Sequence, residues 1–162
     1  MAEAGATEQR RGDFAVSTDP ARLDLAVVHG FLASSYWSAG IPRATLEKAI
    51  ANSIVFGIYR LEEARERQVG FARVVTDRAT YAYLADVFVL EDHRGRGLAA
   101  WLLEVITAHP DLQGLRRWSL LTRDAHGLYR RFGFTPVAAP DRYMERWDPE
   151  VYKRAASKRS DT

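Results

Sequence analysis

Arg94-Gly95-Arg96-Gly97, followed by Leu98-Ala99, are the residues of this 162-residue chain whose types and spacing bear most directly on chemistry. They stand between an apolar run, residues 81–90, and an amphipathic one, residues 98–106. A strand, a short basic glycine loop and a helix in that order make a seat for phosphate. The first amides of a helix have no intrahelical acceptor and point outward. The helix dipole adds about half a positive charge at the same end. Gly95 and Gly97 let the backbone turn sharply and approach a ligand with no Cβ in the way. Arg94 and Arg96 add donors for charge-assisted hydrogen bonds to phosphate oxygens. A diphosphate fits this loop better than the alternative, a solvated turn.

Other side chains stand out by context. Asp86 is the lone charge inside an apolar strand, and a buried carboxylate without a partner is costly, so something must hold it. Ser34-Ser35-Tyr36-Trp37-Ser38 is an aromatic, hydroxyl-rich loop without core spacing, which makes Tyr36 and Trp37 candidates for a substrate pocket. Their alternative role is to plug the end of the core. Glu91, Asp92 and His93 border the glycine loop and are expected to be exposed. His126 opens a short helix, His29 lies in an earlier one, and His109 ends a third. No pair of these has metal-ligand spacing, and no metal is expected.

The elements that must position these groups follow from periodicity. Residues 14–17 predict a strand. Asp19-Pro20 predicts a helix start, with Leu23, Val27, Phe31 and their neighbours Val28 and Leu32 on one face. Gly40-Ile41-Pro42 breaks the chain, and residues 43–51 predict a second helix ending at Asn52. Three strands follow over residues 53–61, 68–76 and 81–90, an antiparallel meander. The last is apolar on both side-chain phases, as expected of a central strand covered on both faces. Beyond the glycine loop, Leu98, Trp101, Leu102, Val105 and Ile106 form a helical stripe that Pro110 ends. Residues 117–122 predict a strand parallel to the previous one, because a helix connects them. Asp124 is the expected cap of a short helix that Gly133 closes. Residues 134–137 and 142–147 predict a closing hairpin-like pair. Residues 1–12 and 155–162 are small, polar and charged and are expected not to pack, leaving residues 13–154 as one domain.

Composition sets limits. Hydrophobic residues make up 47% of the chain, an ordinary globular fraction with material for a sizeable core. No run of about eighteen apolar residues is present, so no membrane span or membrane partner is expected. No secretory signal is visible at the start, and the chain has no cysteine, which excludes disulfides, zinc thiolates and a thiol nucleophile. A cytoplasmic location is the expectation. The net charge of +2 does not indicate nucleic-acid binding, and Lys153, Arg154, Lys158 and Arg159 read as a solvated tail.

The order β-α-α-β-β-β-α-β-α-β-β, with its basic glycine loop after the fourth strand, resembles the GNAT acetyltransferase superfamily. That family's central motif is Arg or Gln, two residues, Gly, one residue, then Gly or Ala; Arg94, Gly97 and Ala99 meet it. Val87-Phe88-Val89-Leu90 is similar to the family's signature strand. Leu128-Tyr129, a short spacer and Gly133-Phe134 resemble its closing motif. The resemblance covers nearly all of residues 14–147. It implies an α/β (α+β) fold with a mixed central sheet of six to seven strands flanked by about four helices, splayed between the fourth and fifth strands. It also implies acetyl transfer from acetyl-CoA to an amine on a small molecule or a peptide, and a homodimer.

Three demands follow from that implied chemistry. The amides of Gly95, Arg96, Gly97, Leu98 and Ala99 would hold the diphosphate. A bulge in the fourth strand, expected near Phe88 and Val89, would free an amide to polarise the thioester carbonyl and leave room for the pantetheine arm. Tyr129 matches the family's tyrosine that protonates the leaving thiolate; its alternative is a core aromatic whose hydroxyl finds a backbone partner. Many members carry Asn at the end of the fifth strand, where this chain has Thr122, which puts the usual amide contact to the cofactor arm in question. Asp86 could serve as general base or bind the substrate ammonium; equally it could cap a neighbouring backbone or pair with an arginine such as Arg73. Tyr36 and Trp37, with Arg142, Tyr143 and Glu145 from the last strands, are the candidate acceptor pocket. Two other classes stand beside the enzyme: a catalytically silent acyl-CoA sensor of the same fold, and an RNA-binding module that the charge balance disfavours.

Overall fold

Neighbouring residues of the central strands are apolar on both phases, and each phase feeds a different layer. The computed structural model describes residues 5–160; what was expected of residues 1–4 and 161–162 lies outside the described residues. Six strands, β1 (Glu8–Arg11), β2 (Phe14–Ser17), β3 (Ile54–Glu62), β4 (Arg65–Thr76), β5 (Tyr81–Val89) and β6 (Arg117–Ser119), form one sheet in sequence order. All neighbours are antiparallel except β5 and β6, which are parallel because the helix α3 (Leu98–Thr107) crosses between them. On one face Val55, Phe71 and Phe88 meet Val28, Leu32 and Leu46 of two helices, α1 (Leu25–Ser34) and α2 (Arg43–Ala51). On the other face Phe56, Ala72 and Val89 meet Leu98, Trp101, Leu102 and Ile106 of α3. Leu102, Leu103 and Ile106 are fully buried, and each such side chain stabilises by roughly 2 kcal/mol. The start of α3 is thereby held rigidly against the sheet.

Two further helices complete the fold, α4 (His126–Arg130) and α5 (Val151–Ser160), making five among the described residues where about four were expected. Among the described residues no helix is long and apolar enough to cross a membrane.

Several local expectations are corrected. Asp19 caps only a single turn, Pro20–Arg22; the helix α1 starts later, where Asp24 accepts from the amides of Ala26 and Val27 at 3.1 and 3.2 Å. Within the segment expected not to pack, Glu8–Arg11 pairs with β2 as an edge strand whose side chains are all exposed. Hydrophobic patterning has no hold on such a strand; backbone pairing and the Arg22–Glu8 ion pair at 2.6 Å hold it. In the expected tail, α5 continues through residue 160, started by Asp148, which accepts from the Glu150 amide and pairs with Arg154. Tyr152 packs it onto the core. The closing hairpin is absent: residues 134–147 make only one turn, Pro140–Arg142. Pro136 and Pro140 remove ladder donors there, and Met144 and Trp147 are left exposed.

β4 and β5 approach closely at Gly70. A Cβ there would lie 2.9 Å from the Phe88 carbonyl oxygen and 2.7 Å from Ile58 Cδ1. Gly70→Ala is expected to destabilise the fold by about 1–3 kcal/mol, read as a lowered urea midpoint at unchanged slope.

Candidate active site

Parallel pairing between β5 and β6 stops after Tyr81↔Arg117, Ala82↔Trp118 and Tyr83↔Ser119. The Tyr81 hydroxyl contacts the Ser119 hydroxyl at this seam. Beyond it β5 runs on to Val89, while residues 120–122 leave the sheet and Leu121 turns to solvent. The resulting gap is the splay that the sequence led us to expect.

The bulge is present, earlier than expected. Phe71 pairs with Phe88 and Arg73 with Ala85, so Asp86 and Val87 together stand opposite Ala72. Phe88 and Val89 are back in register with Phe71 and Gly70. Asp86 sits at φ 58°, a left-handed conformation that Asp tolerates better than most residues. Its carboxylate is buried and occupied on both sides. Arg73 Nε donates to Oδ2 at 2.5 Å and Trp37 Nε1 donates to Oδ1 at 3.2 Å. Of the alternatives open for Asp86, the geometry matches the pair with Arg73. Arg73 also donates to the Ser53 hydroxyl at 3.3 Å.

The glycine loop follows directly. Gly95 and Gly97 adopt φ of 73° and 75°, and a Cβ at either would meet nothing within 4 Å, so the space above them is open. Gly97 caps α3 with no side-chain acceptor, and the first helical bond runs from the Trp101 amide to the Gly97 carbonyl. No amide from Gly95 to Ala100 has an acceptor among the described residues. The arginines divide. Arg94 Nε turns back and donates to the Val89 carbonyl at 2.9 Å, bracing the loop on β5. Arg96 makes no hydrogen bond or ion pair among the described residues. These donors, the open space and the free guanidinium fit a diphosphate.

Tyr129, on α4, is 8% exposed and lies edge-on to Phe134 with ring centroids 6.0 Å apart. Its hydroxyl has no hydrogen-bond partner among the described residues, unlike a core tyrosine anchored to backbone. Burial pushes its phenol up to about 12, helped by the nearby Tyr36 and Asp124 charges. The phenol is therefore protonated at neutral pH. It lines a cavity of about 820 Å³ together with Thr122, His126, Arg142 and Tyr143; Glu145 is not part of that lining. The Thr122 hydroxyl accepts from the Ala125 amide at 3.0 Å. That bond closes the turn leading into α4, whose cap position is Ala125 with no side-chain cap; Asp124, the expected cap, is exposed beside Arg123.

The loop between α1 and α2 spans the gap. Buried Ser35 holds its start, accepting from the Ser38 amide and donating to the Leu32 carbonyl. Trp37 reaches the bulge, and the Tyr36 hydroxyl accepts from the Arg123 amide at 3.3 Å, with that guanidinium 3.9 Å over its ring. Tyr36 and Trp37 stay 50% and 41% exposed, so they do not plug the core, and neither is part of the lining of the cavity that holds Tyr129 and Tyr143. Behind them Phe31 stacks on Phe88 with centroids 3.9 Å apart. Phe31 and Arg123 were not legible as site residues; Phe31 fell on an ordinary helical stripe, and Arg123 had no pattern to mark it.

The histidines lie mostly elsewhere. His126 is exposed at the cavity, and His29 bonds the Ile41 carbonyl. His109 is buried against Phe56, which lowers its pKa. His93, expected to be exposed, is half-buried edge-on to Phe14, its Nδ1 without a partner. Glu91 and Asp92 are exposed, as expected. Among the described residues no cluster of three or more acidic or histidine side chains could hold a metal ion.

Comparison with known proteins gives a consistent result. The family model described as "Acetyltransferase (GNAT) domain" matches residues 51–136. A Gibberella zeae protein assigned to the acetyltransferases is 36% identical over 138 residues, covering 74% of this chain and 77% of its own. A crystal structure from Xanthomonas campestris pv. campestris, assigned to the GNAT family, is 51% identical with a TM-score of 0.80 and covers 86% of this chain and 96% of its own. A Clostridium acetobutylicum chain solved with acetyl-CoA shares the fold at 14% identity and a TM-score of 0.55, over 76% of this chain and 90% of its own.

The Tyr129 phenol sets a pH expectation. The folded protein holds this proton more tightly than an unfolded chain, whose phenol titrates near 10.0. The stability it contributes is complete below that pH and is lost as pH rises towards about 12. Tyr129→Phe is expected to shallow the alkaline loss of stability over this window, measured by urea denaturation at stepped pH; burial also raises Tyr59, which leaves a residual slope.

Proposed function

The chain belongs to the GNAT acetyltransferase family, and on that premise we propose that it moves the acetyl group of acetyl-CoA onto a primary amine by direct attack in a ternary complex. The observation that carries the reading is the run of unpartnered amides from Gly95 to Ala100 beside a gap that leads to the free Tyr129 hydroxyl. The diphosphate lies over those amides, with Arg96 free to add its guanidinium and Arg94 bracing the loop from behind. The pantetheine arm enters between β5 and the Thr122 segment, along Phe88 and Val89, and brings the thioester to the bulge.

Each group then has one task. A bulge amide donates to the carbonyl oxygen and stabilises the negative charge that develops there. The amine nitrogen bonds to the carbonyl carbon and the carbon–sulfur bond breaks. Tyr129 gives its proton to the departing thiolate and recovers one from solvent; the amine's surplus proton leaves to water. The acceptor approaches past Tyr36 and Trp37, with Tyr143 in the cavity lining.

A thiol-release screen with acetyl-CoA across a panel of small and peptide amines tests the reading. Turnover with at least one amine is expected; acetyl-CoA binding with no thiol release from any would leave a silent binder instead. Gly97→Glu puts a carboxylate into the phosphate seat at a left-handed position, and calorimetry is expected to show acetyl-CoA binding abolished. Tyr129→Phe is expected to lower kcat by about 100-fold while the acetyl-CoA Kd changes little. An unaltered kcat removes the acid role.

A further inference from the structure

Asp86 combines three properties that a base or an ammonium ligand does not need together. It is the bulge residue at φ 58°, it is buried, and both its oxygens are taken by donors from separate elements. A left-handed non-glycine residue is strained and persists only where its surroundings over-determine it. Here one donor comes from the adjacent strand, since Arg73 pairs directly with Ala85 across the ladder. The other comes from Trp37, on the loop between α1 and α2. Arg73 is itself tied to Ser53 at the start of β3.

We propose that Asp86 is a positioning residue whose carboxylate, clamped by Arg73 and Trp37, holds the bulge in the geometry that aims its amide at the thioester oxygen. The inference rests on the acetyl-transfer reading and assigns Arg73 and Trp37 a share in setting its rate. The Arg73–Asp86 pair is mostly buried, with side-chain exposures of 18% and 6%. Removing one partner leaves an uncompensated charge, whereas removing both leaves none. Trp37 couples its loop to the other oxygen of the same carboxylate, so that loop and the oxyanion donor are adjusted together.

Amide hydrogen exchange of the full chain, followed by NMR, tests the clamp without any turnover. In Arg73→Met the amides of Val87 and Phe88 are expected to exchange about tenfold faster or more, with those of Phe56 and Ile58 in β3 unchanged. Kinetics with acetyl-CoA and the best amine of the panel test its consequence. Arg73→Met is expected to lower kcat by about 100-fold with the acetyl-CoA KM nearly constant, as for a donor misplaced by about 1 Å. Arg73→Lys restores part of that loss, and the double variant Arg73→Met/Asp86→Asn is no slower than Arg73→Met alone. Asp86→Asn lowers kcat but keeps the acid limb of the kcat/KM profile at its wild-type midpoint. Trp37→Phe, at a half-exposed position that tolerates change, lowers kcat in the same direction and carries the kinetic test if the Arg73 variants fail to fold. Unchanged bulge exchange in a folded Arg73→Met, or unchanged kcat in Trp37→Phe, overturns the proposal. Loss of the acid limb in Asp86→Asn also overturns it, making Asp86 the base. If the wild type turns over no amine, the acetyl-transfer reading fails and the exchange measurement alone decides the clamp.

Discussion

Parallel neighbours in a sheet ordinarily stay hydrogen-bonded along their shared length, yet β5 and β6 part after three residue pairs while β5 continues for six residues more. The constraint behind this is geometric. Two residues of β5, Asp86 and Val87, must face a single residue of β4, and the extra residue bends and twists the strand. The backbone groups released by the parting need partners, because buried unpaired donors and acceptors are costly. A pantetheine arm lying along the gap as an added strand, as proposed, would supply them, so the feature that weakens the sheet would also make room for a ligand.

The gap places its two electrostatic ends in contrast. At the head of α3 the field is fixed and positive: amides, the helix dipole and Arg96, all on a helix anchored by fully buried leucines and isoleucine. At Tyr129 the field is set by burial, which keeps a proton on an oxygen with no hydrogen-bond partner among the described residues. The first end suits charge already present on a ligand. The second, in the proposed reaction, would meet charge that exists only once a bond breaks, and differential stabilisation of that kind would lower a barrier rather than merely tighten binding.

Most of this was readable from residues, and the limits of the reading have physical causes. The glycine loop, the meander and the α3 stripe were legible because each repeats a backbone requirement in side-chain type: Gly where φ is positive, apolar residues on both phases where both faces of a strand are buried, and a helical stripe where one face of α3 is buried. Tyr129 was found through the Leu-Tyr and Gly-Phe spacing, but its unpartnered hydroxyl is a tertiary fact. Glu8–Arg11 escaped because an exposed edge strand is specified by backbone pairing alone. Residues 134–137 and 142–147 were read as strands from β-favouring side chains, and two prolines outweighed that preference. The bulge was expected two residues late because a bulge is a relation between two strands, and one strand's sequence carries only half of it.

β4 is where that missing half resides. Within four residues it provides Gly70, whose bare Cα lets the Phe88 carbonyl come close; Ala72, the single residue the bulge straddles; and Arg73, which grips the bulge carboxylate. Each has an unremarkable type for a strand. Together they prescribe a close approach, a mismatch and a clamp in that order along the partner of β5. A larger residue at Gly70 would push β5 away just before the bulge, and an uncharged one at Arg73 would leave the Asp86 charge buried alone. The motif-bearing loop and helix can therefore be intact in a related chain while the oxyanion donor is misaimed, if β4 has drifted at these positions. Whether such a chain keeps the chemistry depends on β4 as much as on the glycines that identify the family.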